Sequence, residues 1–588
     1  MAEGVLAQVA TYLSHGTLTR TPSTVQEFRD ALRQFGRDQI VYLCSAINIL
    51  LGSWLNGVPD EAAHASVLKT VFGERAAEKL MQEAKVRDAA FVFHREQLLL
   101  IAKEAILVCP ENGMNPFQHV ADLIRVFLMA NDHLYVPNIE TADFERKLLN
   151  LLVNVVPSFE YSGKHAFSNA VARAHLMYGR FSDELKGDVD YVDVRGHFQR
   201  LIDLTAAEFM GLCFGLLSKY LNASLQSFVA DPNSLFLDDT YYQQTAVSSE
   251  KISKFRKEVS ARPDELKKVF EKRLMGPSDF TLFRAKPMYE TRANTLFCID
   301  PRFLAEKLET GPFWRTLFAV PGKEKKDALL AFWGRVFEAY VNWLLTESVG
   351  SNNSHNSFVA SPRYESDDTE VCDGLLLCGS DVVFLEYKGA VFTAQSKYGG
   401  SPEKLGAEIH DKLIQNPEGK RKGIEQLAEA IRRTCRRNDA DRIAGLDLSH
   451  VKRVFPLLVV RDGIGEAPML NALLNHKFDE VPNLSFKTIR PKILTPLFCI
   501  SADTLEYISA YLKDVSLGDI LDARYRGNKG MGGPFLAIDN DVLEPLGEKR
   551  SEVLQQAFHE FTKSLAATLF PKEAALAELT GTDAVSEA

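Results

Sequence analysis

A chain of 588 residues has room for two to four domains, and 46% hydrophobic with 25% charged residues is the balance of a chain that buries substantial cores. The net charge of -10 excludes a nucleic-acid grip by overall charge, so any such grip has to be local. The eight cysteines form no C-x-x-C pair, which argues against a zinc site or a disulfide framework and fits a reducing cytoplasm.

Residues 1–276 read as a mostly helical N-terminal domain. The first 13 residues lack the basic segment and cleavage site of a signal peptide. Helical spacing of Val25, Phe28, Leu32 and Phe35 predicts a helix over 24–35. The apolar run 40–55 is broken by Ser45, Asn48 and Ser53, so a buried helix is expected there and no membrane partner. Further helices are expected over 61–84, 93–107, 117–129 and 144–155, with a strongly apolar core helix over 208–221. Residues 231–245 read as a loop, and 248–274 as one charged amphipathic helix able to bridge the halves. No fixed repeat period points to a solenoid.

Residues 277–325 form a connecting strand-helix segment. Leu296 to Ile299 reads as a strand, Asp300 as an N-cap and Pro301 as the first helical residue. A similar phrase recurs at 497–500, with Ser501 as the cap.

A third unit is expected over 326–545. It opens with an apolar helix over 326–345 in which Glu338 is the anomaly, since a buried carboxylate is costly unless paired or metal-associated. A loop over 347–357 leads to a short strand over 358–362, placed near an edge by Pro362. Residues 369–388, TEVCDGLLLCGSDVVFLEYK, carry two apolar runs around a Gly379-Ser380 turn. Val382, Phe384, Glu386 and Lys388 then share one face of the second strand and Val383, Leu385 and Tyr387 the other. With both faces apolar, that strand belongs in the middle of a sheet. A two-residue turn sets Asp373 opposite Glu386.

Residues 394–422 read as irregular, and 423–437 as a helix with Ile424, Leu427 and Ile431 inward. A strand over 454–460 follows, then a strand over 496–500 and a helix over 502–512. The basic glycine stretch 524–534 lacks Walker A spacing and reads as a surface loop. Residues 546–588 hold a last helix, 551–570, and a frayed tail.

Two carboxylates and a lysine converging at a strand end suit metal-assisted phosphodiester hydrolysis. Mg²⁺ takes hard oxygen ligands and keeps waters and phosphate oxygens in its shell. Asp373, Glu386 and the Tyr387 backbone carbonyl can supply such ligands; Lys388 can position a water and stabilise phosphate charge. The bland alternative is an ion pair at a strand end.

At Asp373 and Glu386-Tyr387-Lys388 the chain resembles the PD-(D/E)XK, or restriction-endonuclease-like, nuclease superfamily. That core runs helix, three strands, helix, strand, an order readable here from 326 to 462. The family-name proline is absent; Val371 and Cys372 precede the aspartate. The resemblance implies an α+β chain overall, its helical half followed by an α/β restriction-endonuclease-like domain with a central mixed sheet flanked by helices. It implies Glu338 near the metals, against an ordinary ion pair, and matches Gln426 to a glutamine near the catalytic lysine. The implied activity is a Mg²⁺- or Mn²⁺-dependent DNA endonuclease, in a setting like that of anti-phage defence effectors. The helical half would then sense, oligomerise or restrain, as a homo-oligomer or with a defence-system partner. The alternatives are an inert nuclease-fold scaffold and a repair or mobile-element nuclease. For the nucleic acid, Lys420, Arg421, Lys422, Arg432, Arg433, Arg436 and Arg437 form the basic run beside the site, readable as a phosphate grip or as a solvated face.

Overall fold

The alternating run 381–388 builds the strand around which the main sheet is laid. The computed structural model describes residues 12–571, except 57–59, 88, 90, 135–140, 142, 163–165, 238–239, 273–275, 352, 416–421, 438–439, 468, 482–488 and 528–541. A small sheet holds β1 (Ser260–Ala261), β2 (Met288–Glu290) and β3 (Leu296–Cys298). The main sheet holds β4 (Ser357–Ala360), β5 (Gly374–Cys378), β6 (Asp381–Lys388), β7 (Arg453–Val460), β8 (Ile493–Leu494) and β9 (Phe498–Ser501). Its order is β4-β5-β6-β7-β8, with β9 also beside β7. β4, β5 and β6 are antiparallel, whereas β7 runs parallel to β6, β8 and β9. The sheet is therefore mixed, flanked by helices on both faces, in an α+β chain.

The two faces of β6 enter different cores. Val383, Leu385 and Tyr387 pack with Trp333, Phe337, Tyr340 and Leu344 of the Lys323–Val349 helix, hereafter the core helix. Val382 and Phe384 pack with Leu405 and with Ile424, Leu427 and Ile431 of the Gly423–Cys435 helix, hereafter the sheet-face helix. Truncating a residue such as fully buried Phe337 to alanine would cost about 3–5 kcal/mol. β4 is the edge strand, as Pro362 suggested, and the register Cys378↔Asp381 closes the two-residue Gly379-Ser380 turn, with Gly379 at a φ of 62°.

The larger core crosses from the helical half into the sheet. Glu552–Leu569 packs on the Phe167–Leu176 and Ala206–Leu221 helices. Arg173 reaches Glu309 at 3.0 Å and Asp503 at 2.9 Å and also pairs with Glu506, which accepts from Tyr340 at 2.6 Å. Among the described residues no single helix is long and apolar enough to cross a membrane; only Val194–Ile202 and Ala206–Leu221 would pass together, and they bend by 72°.

Four local expectations need correction. Residues 61–84 form two helices, Glu61–Phe72 and Glu74–Val86, interrupted at Gly73. The single bridge over 248–274 is also two helices, Ser249–Val259 and Pro263–Lys272. Pro263 disfavours helix in the residue before it, and Ser260–Ala261 pair with β2 instead. The stretch 394–422 contains helices Ala394–Tyr398 and Pro402–Ile409, capped by Thr393 and Ser401. Arg524 to Gly527 close the Leu517–Gly527 helix, Arg524 being buried, so the start of the basic stretch is not a loop. Its continuation and the tail 572–588 lie outside the described residues.

Candidate active site

The site is the end of β6 where the antiparallel half of the sheet stops. The β5–β6 register ends at Gly374↔Leu385, so Asp373 and Glu386 are the next residues in line, the opposition expected from the turn. Asp373 is held by its backbone, its carbonyl accepting from the Ser361 N–H at 3.0 Å. Its Oδ2 accepts the Tyr387 N–H at 2.5 Å. In a strand the N–H and C=O of one residue point the same way, so the Tyr387 carbonyl faces the Asp373 side.

Lys388 lies two residues beyond Glu386 on the same face. Its ammonium donates to Glu386 Oε1 at 2.7 Å and to Gln426 Oε1 at 2.9 Å. Gln426, on the first turn of the sheet-face helix, also accepts the Gly423 N–H at 2.9 Å, which fixes the amide. The chain then turns away at Gly389, where an added Cβ would lie 2.9 Å from the Gly334 Cα of the core helix. That close approach brings the core helix, and Glu338 one turn further on, against the strand end.

Glu338, Glu370 and Asp373 can each offer a carboxylate oxygen within 4.8 Å of the others. Glu370 escaped the sequence reading. It sits in an exposed bridge with Arg363, outside the strands of the sheet; its only signal was a second acid three residues before Asp373. The expected ligand set is thus divided. Glu338 and Asp373 meet Glu370, while Glu386 stands outside that trio with one oxygen committed to Lys388.

The electrostatics are those of a site short of positive charge. Burial, then Asp373 and Glu370, push the Glu338 carboxyl up to about 7. Burial and then Glu386 push Asp373 up to about 7, against Lys388 and the Tyr387 N–H. Burial also raises Glu386, against the pull of Lys388. Burial disfavours the Lys388 ammonium, but Glu386 and Asp373 more than offset this and hold it above its ordinary value. Glu338 makes no hydrogen bond or ion pair among the described residues, so the ordinary ion pair considered for it is not formed there. Arg335, a turn away, is taken by Asp188 at 2.6 Å and Asp190 at 2.9 Å. Among the described residues Glu386, Asp373 and Glu338 act on Lys388, and Glu370 adds a fourth carboxylate beside Glu338 and Asp373, an all-oxygen set that suits a hard divalent cation.

The basic run fares differently. Arg432 pairs with Glu429 on its own helix. Arg433 pairs with Asp441 at 2.7 Å and Asp367 at 3.1 Å and stacks on Tyr364. Arg437 donates to the Ile489 carbonyl at 3.1 Å, and Arg436 lies just past the helix end in a bridge with Ile489. Lys422 is the residue before the sheet-face helix; Lys420 and Arg421 lie outside the described residues.

No family model, no curated protein and no solved structure matches the chain.

Proposed function

We propose that this protein is a divalent-metal-dependent nuclease of the restriction-endonuclease-like kind, cutting DNA phosphodiester bonds. The observation that carries this is the meeting, at the end of β6, of Asp373 and an E-x-K pair with two further carboxylates, Lys388 being the one cation bonded to them among the described residues. A relic fold has no need of four mutually repelling carboxylates.

The free oxygens of Asp373, Glu338, Glu370 and Glu386, with the Tyr387 carbonyl, would hold Mg²⁺ or Mn²⁺. Such a cation lowers the pKa of bound water and neutralises charge building on the phosphate. Lys388, oriented by Glu386 and Gln426, stands where it can donate to an attacking water and stabilise the phosphorane-like charge. Gln426 holds that ammonium in place. By analogy with defence effectors the helical half acts as sensor or restraint, its core continuous with that of the sheet.

The test is cleavage of single- and double-stranded DNA and RNA in Mg²⁺, Mn²⁺ or excess EDTA. Cutting that needs the metal and is lost in Asp373→Asn supports the proposal; undiminished cutting in EDTA would falsify it.

A further inference from the structure

We propose that the first turns of the core helix, with Phe318, form a binding platform for an unpaired DNA strand leading into the site. This rests on the nuclease reading and names the form of its substrate.

Phe318 is 71% exposed and Leu330 40%, and both line the same depression, so they form an exposed apolar patch rather than scattered single residues. Trp314 stacks on Phe318, ring centroids 5.6 Å apart and planes 20° from parallel, so one face of the aromatic pair is braced from behind. Phe318, Leu330, Lys323, Lys326 and Asp327 line a shallow depression of about 470 Å³. A flat, braced aromatic beside lysines is the arrangement on which bases stack while ammonium groups meet phosphates.

The platform is continuous with the carboxylates. Lys326, Leu330, Gly334 and Glu338 are successive members of one i, i+4 ridge of the core helix. Lys326 lies about 18 Å along the axis from Glu338, inside the footprint of roughly 4–16 nucleotides typical of single-strand grooves. Gly334 puts no side chain on that ridge, and a Cβ there would meet nothing within 4 Å, so the ridge has free space at this position, beside the Gly389 backbone that packs on Gly334.

Charge and chemistry favour an unpaired strand over a duplex. Lys323, Lys325 and Lys326 make no ion pair among the described residues, unlike Arg432 and Arg433. Glu324 and Asp327 share the same two turns, so the local positive charge is small for holding a duplex by phosphates alone. The exposed ring adds stacking, which only an unpaired base can accept.

The experiment measures affinity for short labelled oligo(dT), the matching duplex and oligo(U), in Mg²⁺, with Glu386→Gln as background so the strand stays intact. Phe318→Ala should weaken oligo(dT) about tenfold, Phe318→Trp should restore it, and duplex affinity should move less. Lys323→Ala/Lys326→Ala should flatten the log-log salt dependence by about 0.7 for each phosphate left without its lysine. Phe318 is exposed, so these variants keep the fold. Unchanged oligo(dT) affinity in Phe318→Ala overturns the platform while the cleavage test above stands on its own. Preference for oligo(U) overturns the DNA assignment. Loss of self-association in Phe318→Ala, with DNA binding intact, gives the patch to a second copy of the chain instead.

Discussion

Glu160 and Glu338 are both largely buried carboxylates, and the chain treats them in opposite ways. Around Glu160, Arg284 lies at 2.8 Å, Lys397 at 3.0 Å and the Tyr398 hydroxyl at 2.8 Å. Burial pushes that carboxyl up, but the two cations more than offset it and hold it below its ordinary range. Around Glu338 no described residue makes such a bond, and its carboxyl rises to about 7. A charge network that closes on itself has a structural role, tying the helical half to the segment after β6. A cluster left with surplus negative charge is what the proposed divalent cation would neutralise.

The largest expected effect follows from removing the groups that make this difference. Asp373→Asn, Glu386→Gln or Lys388→Met should each lower cleavage by about 10²–10³-fold or more, measured at saturating metal. Lys388→Met should also destabilise the metal-free protein more at pH 8 than at pH 5.5. Lys388 is the cation bonded to Glu386, whose carboxyl burial already raises, so the charge left unpaired weighs more as pH rises. Glu370→Gln should be milder, about 10–100-fold in metal affinity, because an exposed ligand is more easily replaced by water.

The two carboxylate environments also differ in their pH signature. Glu338 and Asp373 have folded pKa values near 7, above their ordinary 4.5 and 3.8. Their contribution to stability is therefore fully present below about pH 4 and lost as pH rises through 7. In metal-free protein, wild type should lose more thermal stability than Glu338→Gln/Asp373→Asn between those values. Mn²⁺ should reverse the loss. Equal pH slopes in both proteins would break the contrast with Glu160.

The smallest effect is expected at the arginines. Arg432→Ala/Arg436→Ala should change DNA affinity by less than about threefold, because Arg432 already has Glu429 as a partner. A loss larger than that of Lys323→Ala/Lys326→Ala would return the grip to the sheet-face helix.

Much of the site was legible because its signals are local. Alternation over 381–388 gives the central strand, and the two-residue turn fixes the register that brings Asp373 to Glu386. Glu338 stood out as the charge in an apolar helix. Glu370 was not legible: an acid in an exposed bridge segment has no periodicity, and its role depends on how Arg363 and Pro362 pair with it and Val371. The basic run misled because sequence shows the arginines but not Asp367 and Asp441, which fold onto Arg433. The helices over 394–409 were signalled by Thr393, Ser401 and Pro402 but masked by the surrounding glycines and lysines. Single-helix readings failed at Gly73 and Pro263, where backbone constraints override apolar spacing.

The central claim is that the end of β6 awaits a divalent cation, and calorimetric titration of Mn²⁺ into the metal-free protein tests it most directly. Wild type should bind with affinity that rises from pH 6 to pH 8 and should release protons, because the Glu338 and Asp373 carboxyls, near 7 without metal, must ionise to ligate it. Asp373→Asn should bind far more weakly, and Asp441→Asn, from a self-neutralised pair, should bind as wild type does. No saturable binding in wild type, or equal binding in Asp373→Asn, would contradict the account.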